Sequence, residues 1–224
     1  MSPRTTAEGG AVPPPAAREY LPPMGRTWLL PVYDPLSRLL GAGRLHRRLL
    51  DQAALQPGAR VLEIGCGTGN LLLLATRLTP GVVTAGIDPD RAALTRARRK
   101  ARRRGIDVRL DLGFADALPY PDASTDVVLS ALMLHHLPEE QQVPVFREVH
   151  RVLRPGGELH LLDVAGSEHG HGLRARRAQR DGHAGGHADP DAVPALLRAC
   201  GFEAAPATPV VARAGTFVLV AATR

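Results

Sequence analysis

From Pro57 onward, short apolar runs alternate with segments in which apolar residues recur every three or four positions. The first pattern is that of buried strands and the second that of helices packed on a sheet. Strands are predicted at Arg60 to Ile64, Val82 to Asp88, Asp107 to Leu112, Asp126 to Ala131 and Glu158 to Val164. Helices are predicted from Leu71 to Leu78, from Pro89 onward and from Pro138 onward, the prolines suiting a first turn where no amide donor is needed. Strand–helix alternation of this kind implies a parallel sheet with right-handed crossovers. Two further β-type runs, Pro209 to Arg213 and Thr216 to Ala222, lie close together around Gly215 and predict an antiparallel hairpin. Together these make seven strands.

Outside this core the pattern changes. Residues 1–25 carry six prolines among small residues and read as a disordered tail, leaving residues 26–224 as one domain with its core motifs in 57–165. Trp28 to Leu40 is apolar with two prolines, which predicts short helical pieces on the main body. Gly43 to Ala54 carries a helical stripe at Leu45, Leu49, Leu50 and Ala53. Residues 166–189 are rich in glycine and contain His169, His171, His183 and His187, a composition that reads as a short flexible insertion rather than as a metal site.

Length and composition narrow the class. The 224 residues suffice for one full core, and 44% hydrophobic with 22% charged residues is ordinary for a soluble globular chain. The net charge is +6, but the basic residues are nearly all arginine, Lys100 being the one lysine. With abundant alanine, glycine and proline, that bias reads as coding preference rather than as a polyanion surface, so no nucleic-acid partner is expected. The run Arg96 to Arg104 before Gly105 fits a helix C-terminus, where cations favour the dipole and glycine stops the helix. Cys66 and Cys200 form no disulfide framework or zinc pattern, and no apolar run reaches membrane-spanning length, so a cytoplasmic protein is expected.

The candidate chemistry sits where the first strand meets the first core helix, at Glu63-x-Gly65-x-Gly67-x-Gly69. Glycine permits positive φ and close approach of a ligand to backbone, and a strand–turn–helix unit makes a nucleotide-sized cradle. The spacing is not the Gly-x-Gly-x-x-Gly of dinucleotide sites. Glu63 would repel a pyrophosphate but favour a cation. Asp88 closes the next strand about 20 residues later, where an acid can accept hydrogen bonds from both ribose hydroxyls.

The ordered motifs YDPLSRLLG, VLEIGCGTGN, GIDPD, ALPYPDAS, LHHL and RVLRPGG resemble the class I S-adenosylmethionine-dependent methyltransferases over residues 27–165. More narrowly, they look like the small-molecule branch that includes ubiquinone/menaquinone-biosynthesis C-methyltransferases. The resemblance implies a Rossmann-like α/β fold, S-adenosylmethionine as cofactor, and a small-molecule acceptor that is quinone-like or otherwise aromatic. It implies that Gly65, Cys66, Gly67, Thr68 and Gly69 wrap the methionine part and ribose. Glu63 would support the loop and the amino group, with Asp88 and Pro89 at the ribose and Ala131 and Leu132 on the methionine side. Relatives often carry an Asp before the Ala of the third loop to bind the adenine amine. Here Phe114 occupies that place, leaving stacking by Phe114 or contacts from Ala115 and Asp116. Tyr33 matches a Tyr that closes over the cofactor in relatives and equally fits a packing aromatic.

His135 is the candidate general base for an acceptor that must lose a proton, because LHHL follows the fourth strand where the cleft opens. The alternative is that LHHL simply begins a helix. A short insertion leaves the acceptor pocket either open or completed by a second subunit in a homodimer. RNA or protein methylation, and a cofactor-binding module without catalysis, are the competing readings of the same motifs.

Overall fold

The structure, a computed structural model, describes residues 42–165, 192–212 and 215–224. The expected tail, Tyr33, the Trp28–Leu40 pieces and the 166–189 insertion lie outside the described residues. In chain order the elements are α1 (Ala42–Ala53), β1 (Arg60–Ile64), α2 (Asn70–Leu78), β2 (Val83–Asp88), α3 (Arg91–Arg103), β3 (Arg109–Leu112) and β4 (Thr125–Ala131). A 3-10 turn (Leu134–His136), α4 (Glu139–Val152), β5 (Leu153–Val164), α5 (Ala192–Ala199), β6 (Glu203–Ala204), β7 (Thr208–Ala212) and β8 (Gly215–Thr223) complete it.

The sheet order is β3-β2-β1-β4-β5-β8-β6, with β7 also paired to β8. β1 to β5 run parallel, and β8 is antiparallel to β5, β6 and β7. The described residues thus form eight strands, where the hydrophobic pattern predicts seven. The addition is the two-residue β6, which lies on the same edge of β8 as β7. Pro206, which has no amide hydrogen to donate, stands in the break between them. Ala205 still donates to the Ala221 carbonyl at 2.9 Å, so the edge is one ribbon broken once.

Both faces of the central parallel strands are buried, which is why β1 and β4 read as nearly continuous apolar runs, whereas the edge strand β3 buries only Leu110. One face packs Leu62, Ile64, Val128 and Leu161 against Phe146, Val149 and Leu197 of α4 and α5. The other packs Val61, Leu129 and Leu162 against Leu45, Leu49 and Leu71 of α1 and α2. The α1 stripe at Leu45, Leu49, Leu50 and Ala53 is buried as its spacing predicts.

The prolines sit differently from expectation. α3 starts two residues after Pro89, and Asp90 is its N-cap, accepting from the Ala92 and Ala93 amides. Pro138 is the N-cap position of α4, and Pro144 lies inside that helix. At the other end of α3, Gly105 adopts φ 62° and donates to the Arg102 carbonyl, the predicted glycine stop.

At the amino end of the sheet, Asp126 ties three segments. Its Oδ2 accepts from the Arg60 amide at 2.7 Å and its Oδ1 from Arg154 Nε at 2.6 Å. Partial burial pushes this carboxyl up, but the bonds from Arg60 and Arg154 outweigh it and hold it down at about 2. Because its folded value lies below the unfolded one, its stabilisation is present above the usual carboxylate range and is lost as pH falls toward about 2. Both guanidinium groups are half exposed, so the gain is modest. Asp126→Asn is expected to lower stability by about 1 kcal/mol near neutral pH. Urea unfolding of both proteins across acid pH checks this, with the difference closing as the wild-type carboxyl becomes protonated.

Candidate functional site

In this strand order the chain leaves β1 for β2 on one side while β4 lies on the other. That reversal opens a crevice at the carboxyl ends of the strands, where ligands of open α/β sheets bind. The loop after β1 fills it. Gly65, Gly67 and Gly69 all have positive φ, at 66°, 50° and 74°. A side chain at Gly65 would overlap Cβ and Cγ of Met133, so glycine is needed for close packing against the loop after β4. At Gly67 an added Cβ would meet nothing within 4 Å among the described residues. Here the backbone borders open space that a ligand can enter.

The turn is fastened from two directions. Asp88, at the end of β2, accepts the Gly67 amide on Oδ2 at 2.7 Å and the Asp90 amide on Oδ1 at 2.8 Å. Lys100 of α3 donates to the Thr68 carbonyl at 3.1 Å, the Thr68 hydroxyl at 2.8 Å and Asn70 Oδ1 at 2.9 Å. Burial raises the Asp88 carboxyl, and the two amides oppose that rise. Asp88 therefore shapes the turn as well as offering remaining oxygen lone pairs to the crevice.

Glu63 lies within β1, buried to 3% exposure. Burial raises its carboxyl well above the usual range; the Leu72 amide opposes this and the Asp88 charge adds to it. Its Oε2 is buried without a hydrogen-bond partner among the described residues. A buried carboxylate oxygen left unpartnered is costly and rare, and a cationic ligand group would satisfy it. The donor set beside the turn therefore fits an ammonium-bearing ligand. Cys66 is a free thiol beneath the turn, and burial, with Glu63 and Asp88 nearby, raises it away from reactivity.

Two further loops reach the same edge. Gly113 donates to the Asp88 carbonyl at 3.2 Å, and Phe114, Ala115 and Asp116 follow it half-buried. Pro89 is likewise half-buried beside Asp88. After β4, Ala131 ends the strand and Leu132 adopts φ 56°, a left-handed conformation unusual for a branched side chain. Leu132 is held there by donating its amide to the Leu162 carbonyl at 2.8 Å.

LHHL forms a short 3-10 helix of its own, Leu134–His136, separate from α4. Asp163, fully buried in β5, organises it. Oδ2 accepts the amides of Leu134 at 2.7 Å and His135 at 3.3 Å, while Oδ1 accepts the Val164 amide at 2.7 Å. His135 Nδ1 lies 2.5 Å from the same Oδ1. With so many donors the carboxylate acts as acceptor, so the ring places its hydrogen on Nδ1 and leaves Nε2 as the basic nitrogen. His136 lies beside it, with ring centroids 3.9 Å apart and planes tilted by 45°.

Thus the structure brings Glu63, the glycine turn, Asp88, Leu132 and His135 to one end of the sheet. Asp163, Lys100 and Met133 are participants that motif spacing did not reveal. An acid closing the apolar run LHLLDV was a visible signal for Asp163, as was the single lysine for Lys100. Among the described residues no cluster of three or more His, Cys, Asp or Glu could hold a metal ion, and no helix is long and apolar enough to cross a membrane.

Comparison with known proteins agrees with this geometry. A family model described as a methyltransferase domain matches residues 61–157. The chain is 38% identical over 138 residues to a demethylmenaquinone methyltransferase of Thermus thermophilus, covering 60% of this chain and 62% of that one. It is 42% identical over 122 residues to a 27-O-demethylrifamycin SV methyltransferase of Amycolatopsis mediterranei, covering 54% and 44%. The match therefore spans about half the length of these relatives. The solved structure of a SAM-dependent methyltransferase from Methanosarcina mazei superposes with a TM-score of 0.65 at 25% identity, covering 77% of this chain and 96% of that one. Over residues 61–157 the chain is thus similar to methyltransferase domains, and it shares the fold of a solved SAM-dependent methyltransferase.

Proposed function

We propose that the chain is an enzyme that methylates a small molecule, quinone-like or otherwise aromatic, in the cytoplasm. The unpartnered, buried Glu63 oxygen beside a glycine turn open at Gly67 carries this reading. It calls for a cation next to a backbone cradle, the combination that the methyl donor's amino acid end presents. The relatives named for demethylmenaquinone and 27-O-demethylrifamycin SV support an aromatic or hydroxyl-bearing acceptor.

When bound, the donor supplies a sulfonium methyl for in-line displacement, the sulfur keeping the bonding pair. Glu63 would hold the amino group, the Gly65–Gly69 turn the methionine part, and Asp88 the ribose hydroxyls. Phe114 and the Ala115–Asp116 segment would border the adenine end. The protein's main contribution is alignment and exclusion of water. An acceptor that must lose a proton would give it to His135 Nε2. Asp163 fixes the ring orientation and stabilises the imidazolium that forms.

Two measurements follow. Calorimetry should show S-adenosylhomocysteine binding with proton release, because burial favours the protonated Glu63 carboxyl and a ligand ammonium favours its ionised form. Affinity should then fall as pH is lowered, and Glu63→Gln should bind more weakly with the proton release gone. Proton-neutral, pH-independent binding would remove Glu63 from the site.

With an isotopically labelled methyl donor and total cell metabolites, label should enter a small molecule. His135→Ala should lower that rate by about 10²- to 10⁴-fold if a proton must be removed, with S-adenosylhomocysteine affinity retained. Label appearing only in RNA or protein would overturn the acceptor class, and label transferred nowhere would overturn catalysis.

A further inference from the structure

Lys100 is one lysine against 27 arginines in this chain, and its neighbours on α3 include Arg98, Arg99, Arg102 and Arg103. Where the composition supplies arginine almost everywhere, the one ammonium stands against the glycine turn. Its Nζ reaches three oxygens, two from Thr68 and one from Asn70, all within 3.1 Å. An ammonium offers three donors around one nitrogen, which suits acceptors converging on a point. A guanidinium spreads its five donors along a rigid planar fork.

The packing sharpens that preference. Ala97, one turn before Lys100, lies where a Cβ on Gly69 would meet it at 3.1 Å, so α3 rests directly on the turn. The location also runs against the usual placement of a cation. Thr68 and Asn70 flank Gly69, the N-cap of α2, and positive charge near a helix N-terminus opposes the dipole. Gly69 supplies no side-chain cap. Lys100 therefore does not serve α2 as a favourable end charge; what it gains is the turn's oxygens.

Asp88 and Lys100 belong to one β2–α3 unit and grip the turn with opposite charges, the acid on an amide and the base on oxygens. We propose that Lys100 is a positioning residue for the methyl donor: it fixes Thr68 and Asn70 toward α3 and so keeps the open side of Gly67 in a binding-ready shape. This rests on the assignment of the turn to the donor.

The test compares wild type, Lys100→Arg, Lys100→Met and Thr68→Val in S-adenosylhomocysteine titrations, with circular dichroism to confirm folding. Donor KM and kcat are measured as well. Both Lys100 variants should bind at least tenfold more weakly, with the loss falling on donor KM more than on kcat. Lys100→Arg should not restore affinity, whereas a residue that only filled space or carried charge would be rescued by it. Thr68→Val should weaken binding less, and its effect should largely vanish when Lys100 is already Met. Wild-type affinity in Lys100→Met or Lys100→Arg overturns the proposal, as does an undiminished Thr68 effect in the double variant. Failure of the wild type to bind would instead overturn the donor-site assignment on which the proposal stands.

Discussion

A turn of three left-handed glycines is a flexible thing, and this one must be rigid to hold a ligand. The structure resolves the conflict by hydrogen bonding the turn from outside. The Gly67 amide is bound to Asp88, and the oxygens of Thr68 and Asn70 are bound to Lys100. Both partners are themselves anchored, Asp88 by the Asp90 amide at the end of a central strand and Lys100 by a helix capped at Asp90. Backbone freedom needed for close approach is thereby confined to one shape without filling the space a ligand would use.

The same economy governs the acceptor side. Leu132 is turned into a left-handed conformation, and Asp163 gathers the amides that the chain would otherwise leave unpaired as it enters the 3-10 turn. One buried carboxylate thus builds the loop and orients His135. Met133 packs under Gly65, so the two loops at the switch point are in contact and neither can be rebuilt alone. Charge is treated differently at the two ends of the sheet. Asp126 at the amino end is fully paired and held acidic, whereas Glu63 toward the carboxyl end is buried with an oxygen unpartnered. A paired carboxyl reads as architecture and an unpartnered one as a place for a ligand.

Much of this was legible from residue order because it depends on local rules. Strand periodicity, the glycine spacing and the acid one strand later each act over a few residues, and the structure places Asp88 beside the turn. What was not legible depends on register between distant segments. His135 meets Asp163 across 28 residues only because β4 and β5 pair Ala131 with Leu162. Lys100 reaches Thr68 across 32 residues because a glycine at 69 lets α3 approach. The proline positions misled for another reason: Asp90 outcompetes Pro89 as the start of α3 by accepting two orphan amides. β6, two residues long, has no periodicity to read at all.

The central claim is that the glycine turn, gripped by Asp88 and Lys100, is the methyl-donor site. A crystal structure of the full chain with S-adenosylhomocysteine tests it most directly. The account predicts the ligand's amino group hydrogen-bonded to Glu63, its ribose hydroxyls at Asp88, and the Lys100 bonds to Thr68 and Asn70 retained. Ligand bound elsewhere on the chain, or bound in the crevice with Glu63 still unpartnered and the turn released from Lys100, would contradict it.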